Sequence, residues 1–265
     1  MSAMINLIEL FKRKELNQIS GFLDYMKNMD MTDICDSYKQ LRDVDAPQRD
    51  NAYFVESHDG IASSGSSSNR REEHLALALF NASRDNKEFT LPDGRQLEFI
   101  DYQTPLKAKQ GDKGIGKIDL FGVIDNTVPT VIELKIESID GGQADSPLHA
   151  LLEGLAYCAI IEKNLPQITD ETSTKFNKHL NKSKPTLIVL APDEYWKRYL
   201  FNKSAGDWLP EIMKISETIN SALNIETIPL AMTNSEFEMG LEGKRAKLTG
   251  DCKLISVESI ALSLE

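Results

Sequence analysis

Two short apolar segments, each carrying charged residues, constrain the fold of this chain more than any other feature of its sequence. Residues 116–123 and 131–136 are rich in β-branched, aromatic and other apolar side chains, and a polar turn lies between them. Runs of this composition on either side of a turn predict a β-hairpin. Asp119 interrupts the first run, and Glu133 and Lys135 interrupt the second. Charged side chains within covered strands cost free energy, so their presence indicates a function.

The predicted hairpin brings these charged residues to one end of a sheet. Side chains two positions apart in a strand share a face, so Glu133 and Lys135 project together and Leu134 points to the opposite face. A strand, a turn and a returning strand of this length place Asp119 near Glu133. Two carboxylates and the backbone carbonyl of Leu134 are hard oxygen ligands of the kind that Mg²⁺ prefers, with Mn²⁺ as a substitute. We therefore predict Asp119, Glu133 and Lys135 as catalytic residues, and Asp119, Glu133 and the Leu134 carbonyl as metal ligands.

Such a site has the chemistry needed to hydrolyse a phosphodiester. A bound divalent cation lowers the pKa of a water ligand and polarises the phosphoryl oxygen. Lys135 can orient the attacking water or offset the charge that develops in the transition state. The simpler interpretation is an ion pair between Glu133 and Lys135 on an exposed strand edge. The apolar neighbours of the pair, from Val131 to Ile136, indicate a strand covered on both faces, which favours the functional interpretation.

The remaining sequence surrounds this hairpin with further helices and strands. Apolar residues at helical spacing predict helices, and β-rich apolar runs predict strands. The order helix, three strands, helix, strand predicts an α/β core with a central mixed β-sheet flanked by helices. The predicted helices cover residues 4–29, 33–41, 71–82, 148–161, 193–199 and 208–223, and the further strands cover 96–102, 185–191, 225–232 and short antiparallel pieces within 237–260.

A loop rich in glycine and serine, at residues 58–69, separates two predicted domains. Residues 1–60 form an N-terminal helical extension, in which Thr32 caps the second helix, and residues 61–265 form the main domain. The apolar helices of the extension can contact a second copy of the chain, a partner protein or their own core. The sequence leaves these alternatives open.

Composition and charge restrict the class of protein. The 265 residues carry a net charge of −11, which argues against a stand-alone, tight nucleic-acid binder because such proteins usually present a basic face. A nuclease is still compatible with this charge, since a metal site needs carboxylates and affinity can come from a partner.

No apolar run approaches the roughly 20 residues that span a bilayer, and no basic region precedes an apolar core at the N-terminus. Three scattered cysteines are typical of reduced thiols. We therefore expect a cytoplasmic protein without a membrane contact.

Four lysines form a local positive patch just before the predicted strand that carries Asp119. Lys107, Lys109, Lys113 and Lys117 lie in a loop broken by glycines, in which Asp112 is the one acidic residue. Contact with the phosphates of a nucleic acid is the functional interpretation, and a solvated flexible loop is the alternative. A second, fainter group of basic residues is expected to be solvated: Lys244, Arg245, Lys247 and Lys253.

The pattern Ile118-Asp119, followed by Glu133-Leu134-Lys135, resembles the PD-(D/E)xK nuclease superfamily, which includes restriction enzymes, recombination nucleases and phage-defence nucleases. The order of the predicted helices and strands also agrees with that superfamily. The resemblance implies a restriction-endonuclease-like core and a magnesium-dependent hydrolysis of DNA in restriction, defence or repair. RNA as the substrate stays open.

Two neighbouring helices carry residues to which the resemblance assigns roles. The helix before the hairpin often carries a metal-contacting glutamate in this superfamily, for which Glu72 and Glu73 are the candidates. Helical phase favours Glu72, and the choice stays open. RecB-type members carry a Gln-x-x-x-Tyr motif on the next helix, where this chain has Glu153 and Tyr157. Tyr157 fits the motif, whereas Glu153 departs from it, so both are predicted as supporting residues.

Two histidines are further candidates for contact with the site. A histidine reaches the metal in some RecB-type enzymes, but for His74 a supporting or surface role is favoured, and His149 is expected to be a surface residue.

The competing function is a nuclease-fold subunit that binds a nucleic acid or a protein without cleaving. The complete set of Asp119, Glu133 and Lys135 argues against that alternative.

Overall fold

A seven-stranded mixed β-sheet forms the centre of the fold. The computed structural model describes residues 6–55, 57–63, 70–137, 145–181, 183–239 and 244–262. The strands are β1 (Phe89–Thr90), β2 (Gln96–Pro105), β3 (Lys117–Ile124), β4 (Val128–Leu134), β5 (Thr186–Pro192), β6 (Thr227–Thr233), β7 (Phe237–Met239), β8 (Ala246–Leu248) and β9 (Lys253–Ser256).

Helices pack on both faces of this sheet, and the first four of the described α-helices precede it in the chain. They are α1 (Leu7–Phe11), α2 (Phe22–Lys27), α3 (Met31–Gln40), α4 (Arg71–Arg84), α5 (Pro147–Lys163), α6 (Leu165–Phe176), α7 (Asp193–Leu200), α8 (Leu209–Leu223) and α9 (Val257–Leu262). The helices predicted around the hairpin are therefore present, with ends that differ by a few residues.

The strand order of the sheet is β1-β2-β3-β4-β5-β6-β9, and β7 and β8 pair with each other in a separate ribbon. Strands β1 to β4 are antiparallel, β4, β5 and β6 are parallel, and β9 is antiparallel to β6. The predicted α/β class with a central mixed sheet is confirmed. The finer assignment to a restriction-endonuclease-like fold stays a prediction.

The side chains of β3 and β4 alternate between two apolar clusters, one on each face of the sheet. Phe121 and Val131 belong to the cluster that contains α5 and the N-terminal helices. Leu120 and Ile132 belong to the cluster that contains α4 and the β7–β8 ribbon. Because successive strand residues point to opposite faces, the odd-numbered positions of both strands face α5. The charged residues of the predicted site occupy these odd-numbered positions.

The prediction of one helix over residues 4–29 is wrong. The described part of this segment contains α1, a 3-10 helix at Lys14–Asn17, and α2. Gly21 has a φ angle of 102°, a left-handed conformation that favours glycine, and the chain turns there before α2. The predicted cap at Thr32 is also wrong, because the Asp30 side chain accepts the hydrogen bond from the Thr32 N–H, at 2.9 Å.

The N-terminal segment packs against the main core. Its apolar side chains share one cluster with α5, and Tyr38 and Tyr53 are fully buried. Polar contacts add to this packing: the Tyr38 hydroxyl donates to Glu162 Oε2 at 2.7 Å, and Arg42 Nη1 donates to Glu162 Oε1 at 3.1 Å. These helices thus contact the chain's own core, one of the alternatives left open above. The boundary at residue 60 and a partner contact stay predictions.

Several expectations near the ends of elements have other outcomes. Helices α6 and α9 were not predicted, and α9 replaces the last of the short strands expected within 237–260. The sequence also predicts a cap for α4 at Ser68 or Asn69 and an end of the hairpin block at Gly141 and Gly142, and these positions lie outside the described residues. No helix in the described part of the chain is long and apolar enough to cross a membrane.

Candidate active site

Asp119 and Glu133 lie side by side where β3 and β4 end. Leu120 pairs with Ile132 in the antiparallel register, so Asp119 and Glu133 occupy the next position on each strand. Asp119 Oδ2 accepts a hydrogen bond from the backbone N–H of Leu134 at 3.0 Å. The hairpin therefore brings the two predicted carboxylates together, as the register requires.

The carbonyl of Leu134 faces the same side as Asp119. The next N–H along the chain, that of Lys135, donates to the Leu190 carbonyl on β5 at 2.9 Å. In a trans peptide the carbonyl and the following N–H point in opposite directions, so the Leu134 carbonyl points away from β5 and towards β3. The predicted backbone ligand is thus on the side of the predicted carboxylates.

Lys135 is the central cation of the site. Its Nζ lies 2.6 Å from Glu133 Oε1 and 3.3 Å from Glu153 Oε2. Glu133 and Lys135 are 3% and 5% exposed, so neither is a solvated residue on a strand edge. The exposed ion pair considered as the simpler interpretation is therefore excluded.

Helix α5 supplies Glu153 and Tyr157, one helical turn apart on the face towards the sheet. The Tyr157 hydroxyl donates to Glu153 Oε1 at 2.8 Å. A Cβ atom on Gly116 would lie 2.5 Å from the Tyr157 hydroxyl oxygen, so this side chain rests directly on the backbone that leads into β3. Both residues predicted as supporting residues are in the cluster.

The structure separates the two candidate glutamates of α4. The carboxyl group of Glu72 interacts electrostatically with Lys135, Asp119 and Glu153. Glu73 instead accepts hydrogen bonds from Ser63 at 2.8 Å and from Arg70 at 3.2 Å. The structure brings Glu72 to the site and leaves Glu73 outside it.

Burial and like charge govern the ionisation of the acidic residues. Burial raises the pKa of Glu72 to about 8, and it also raises the pKa values of Asp119 and Glu133, against the opposing charge of Lys135. Burial alone would lower the pKa of Lys135, but Glu133 and Glu153 hold it well above its usual value. Burial would raise the pKa of Glu153, but hydrogen bonds and Lys135 keep it well below its usual range. The acidic groups around Lys135 therefore hold it in its charged form.

Five carboxyl groups surround the single ammonium group of this cluster. In the described residues no other lysine or arginine lies within 4.0 Å of any of the five. Four negative charges would therefore be unbalanced if all five groups were ionised. The members are Glu72, Asp119, Glu133, Asp145 and Glu153.

The four loop lysines are exposed, and the loop that carries them leads into β3. None of them forms an ion pair within 4.0 Å among the residues that the structure describes. Lys117 begins β3 and shares a face with Asp119, two positions further along the strand. The loop thus ends at the site, and its side chains are free to contact a ligand.

Three residues near the site were not predicted as site residues, because their sequence signal was too weak. His149 is 14% exposed, with Nε2 3.5 Å from Glu153 Oε2, so its interpretation as a surface residue is wrong. Asp145 lies 3.9 Å from Lys135 Nζ. Gln103 has a φ angle of 48°, and its Nε2 donates to Asp119 Oδ1 at 3.2 Å. The spacing of His149 and Glu153, one helical turn apart, is the signal that could have been used.

An acidic cleft lies next to the site, at the carboxyl ends of the parallel strands. It has a volume of about 980 Å³, and its wall includes His74, whose ring packs against Phe237 rather than in the carboxylate cluster. The wall carries more acidic than basic side chains: Glu137, Asp193, Glu194, Glu236 and Glu238 against Arg71 and His74.

Comparisons of the chain with protein-family models, with curated proteins and with solved structures give no match.

Proposed function

We propose that this protein is a magnesium-dependent nuclease that hydrolyses phosphodiester bonds in DNA. The observation that carries the proposal is the adjacency of Asp119 and Glu133 across two paired strands, with Lys135 held beside them. Buried ionisable groups in such a cluster require a partner charge, and functional sites are where such clusters concentrate. The resemblance to the PD-(D/E)xK superfamily supports the same conclusion.

The residues of the site fit a hard divalent cation. Glu133 Oε2 is buried and has no hydrogen-bond donor among the described residues. Carboxylate oxygens of Asp119 and Glu133 and the Leu134 carbonyl are the ligand type that Mg²⁺ takes, and Glu72 adds a further carboxylate. A cation here would also balance part of the excess negative charge of the cluster.

Each side chain then has a chemical task. When bound, Mg²⁺ supplies a water of lowered pKa and polarises the phosphoryl oxygen. Lys135, held in its charged form by Glu133 and Glu153, would offset the negative charge that develops on the phosphoryl oxygens in the transition state. Tyr157 fixes Glu153, which in turn positions Lys135. Gln103 donates to Asp119 and keeps that carboxylate in place.

The substrate is proposed to reach this site from the lysine loop. Lys107, Lys109, Lys113 and Lys117 are exposed and unpaired in the described chain, and they precede Asp119 directly. Lysines at such positions contact phosphates and set the register of the substrate without reading its sequence. The chain's net charge of −11 implies that these contacts are local.

The decisive experiment is cleavage of plasmid, linear and single-stranded DNA, and of RNA, with Mg²⁺, with Mn²⁺ and with a chelator. We expect metal-dependent DNA cleavage that Asp119→Asn and Glu133→Gln abolish. Glu73→Gln is the matched control, because Glu73 lies on the same helix but outside the site, and it should retain full activity. Full activity in the first two variants, or no cleavage under any condition, would contradict the proposal.

A further inference from the structure

The N-terminal segment reaches the candidate active site through the side chain of Asn17, the last residue of its 3-10 helix. Asn17 Oδ1 accepts a hydrogen bond from the backbone N–H of Ser146 at 2.7 Å, and Asn17 Nδ2 donates to Asp145 Oδ1 at 2.8 Å. Nδ2 also lies 3.2 Å from His149 Nδ1. These three partners lie at the start of α5, so Asn17 joins the N-terminal segment to that helix.

These contacts determine which way round the Asn17 amide lies. A backbone N–H only donates and a carboxylate only accepts, so the amide oxygen belongs at Ser146 and the amide nitrogen at Asp145. The nitrogen therefore also faces His149 Nδ1, and because this nitrogen is a donor, Nδ1 must be the acceptor. Asp145 Oδ1 lies 3.7 Å from Nδ1, too far to draw the ring proton there by a hydrogen bond. The proton of the neutral His149 ring is then on Nε2.

The position of this proton matters for Glu153. His149 Nε2 lies 3.5 Å from Glu153 Oε2, so a proton on Nε2 places a donor beside the carboxylate. With the proton on Nδ1, two lone pairs would face each other there. Burial would raise the pKa of Glu153, and the hydrogen bond from His149 is the largest of the contacts that hold this pKa below its usual range. Glu153 Oε2 lies 3.3 Å from Lys135 Nζ, so the His149 tautomer affects how the central cation is held.

A second residue of the N-terminal segment, Phe11, packs on the same side chains. Its ring centroid lies 6.0 Å from that of His149 and 6.3 Å from that of Tyr157. Tyr157 donates to Glu153 Oε1 at 2.8 Å, and His149 lies beside Oε2 of the same carboxylate. The N-terminal segment therefore covers both neutral side chains that face Glu153, and Asn17 adds the polar contact.

We propose that Asn17 is a positioning residue of the active site, which fixes the ring proton of His149 on Nε2 so that His149 holds Glu153 beside Lys135. Asn17 acts through His149 and does not touch the proposed metal ligands. A catalytic role for this arrangement rests on the proposed nuclease function, whereas the tautomer of His149 does not.

Heteronuclear NMR of the isotope-labelled full chain measures the tautomer directly, because a protonated ring nitrogen and a bare one differ in chemical shift. The spectrum is recorded with a chelator at about pH 9, above the ordinary titration range of histidine. The chain has four histidines, and His149→Gln identifies the signals of that ring. We expect the Nε2–H tautomer in the wild type.

Asn17→Asp replaces the donor by an acceptor, so the His149 ring should take a proton on Nδ1. Asn17→Ala removes the donor and should reduce the excess of the Nε2–H form. Asn28→Asp is the matched control: it makes the same change of charge at an exposed position of the N-terminal segment and should leave the ring unchanged.

A proton on Nδ1 of His149 in the wild type would overturn the proposal, and this measurement needs no variant that could fail to fold. An unchanged ring in a folded Asn17→Asp variant would also overturn it.

Cleavage kinetics test the catalytic part. Asn17→Asp should lower kcat of Mg²⁺-dependent DNA cleavage by about tenfold or more and leave KM unchanged, because Asn17 supports the site from outside and binds no substrate. Equal kcat in Asn17→Asp and in an active wild type would overturn the positioning role alone. Absence of cleavage by the wild type would contradict the proposed function, and the NMR result on His149 would still stand.

Discussion

Asp119 on β3 accepts a hydrogen bond from the backbone N–H of Leu134 on β4, with 3.0 Å between Oδ2 and the nitrogen. This bond links the first predicted carboxylate to the strand that carries Glu133 and Lys135. It gives Asp119 a structural role in addition to its proposed chemical one, and the two roles can be separated by substitution.

Asp119→Asn should retain the fold and lose the proposed metal site, because the amide keeps an oxygen acceptor without the charge. Asp119→Ala should lose the metal site and also about 1–3 kcal/mol of unfolding free energy, since the Leu134 N–H is left without its partner. Denaturant unfolding of the two metal-free variants measures this difference. Equal free energies of unfolding for the two variants would show that this hydrogen bond does not contribute to stability.

Lys135→Met should destabilise the metal-free protein by about 3–5 kcal/mol, because it leaves the buried Glu133 carboxyl group without its cation. Combining it with Glu133→Gln should cost less than the sum of the two single changes. Lys39→Met is the matched control: Lys39 pairs with Asp36 at 3.0 Å on the surface, where such pairs contribute about 0–1 kcal/mol. A similar loss in both lysine variants would refute the assignment of Lys135 as the central cation.

Glu72 should make the stability of the metal-free protein depend on pH. Its pKa rises from 4.5 to about 8 on folding, so between these values the unfolded chain has lost the proton that the folded chain retains. Stability therefore falls as pH rises through this window, by up to about 1.4 kcal/mol per pH unit for this one group, and levels off above it.

Glu72→Gln should remove that part of the pH dependence and make the metal-free protein more stable than the wild type at pH 8. Glu73→Gln should leave the pH dependence of stability unchanged, because Glu73 is outside the site. Unfolding measured from pH 5 to pH 9 in the presence of a chelator tests both. Parallel curves for Glu72→Gln and the wild type would be the contrary result.

Gly116→Ala should disturb the site through Tyr157. The added Cβ would lie 2.5 Å from the hydroxyl oxygen of a rigid ring, so the Tyr157 to Glu153 hydrogen bond must shift, at a cost of about 1–3 kcal/mol. Gly111→Ala, in the same loop, has its nearest atom at 4.0 Å and should be neutral. Tyr157→Phe should partly rescue the stability of Gly116→Ala, and a lack of rescue would locate the strain elsewhere.

Replacing Lys107, Lys109 and Lys113 with alanine should weaken DNA binding, measured in the Asp119→Asn background to prevent cleavage. The dependence of log K on log salt should flatten by about 0.9 for each lost contact with duplex DNA. The same change at Lys244, Lys247 and Lys253 is the control and should have little effect. Equal losses in both triple variants would favour a general charge effect over a binding loop.

The central strands could be predicted because their signal is local. Strands β3, β4 and β5 are buried apolar runs, and the adjacency of Asp119 and Glu133 follows from the length of a single hairpin. The choice of Glu72 over Glu73 could not be made, since both occupy the first turn of α4 and the tertiary structure alone orients that turn.

Other features depend on contacts between distant segments. Asp145 and His149 meet Asn17, which lies more than one hundred residues away in the chain, and no spacing in the sequence encodes this contact. Helix α6 was not predicted because its segment carries few apolar residues, and its buried side chains are Leu165, Ile168 and Thr172.

Strand β4 is paired along both edges, with β3 on one side and β5 on the other. It cannot slide by one residue without breaking both ladders and turning Glu133 and Lys135 to the opposite face. The loop at residues 107–116 belongs to no strand and can change in length without moving either ladder. In the proposed nuclease, the substrate preference can therefore diversify in this loop during evolution while the residues at the ends of β3 and β4 stay constant.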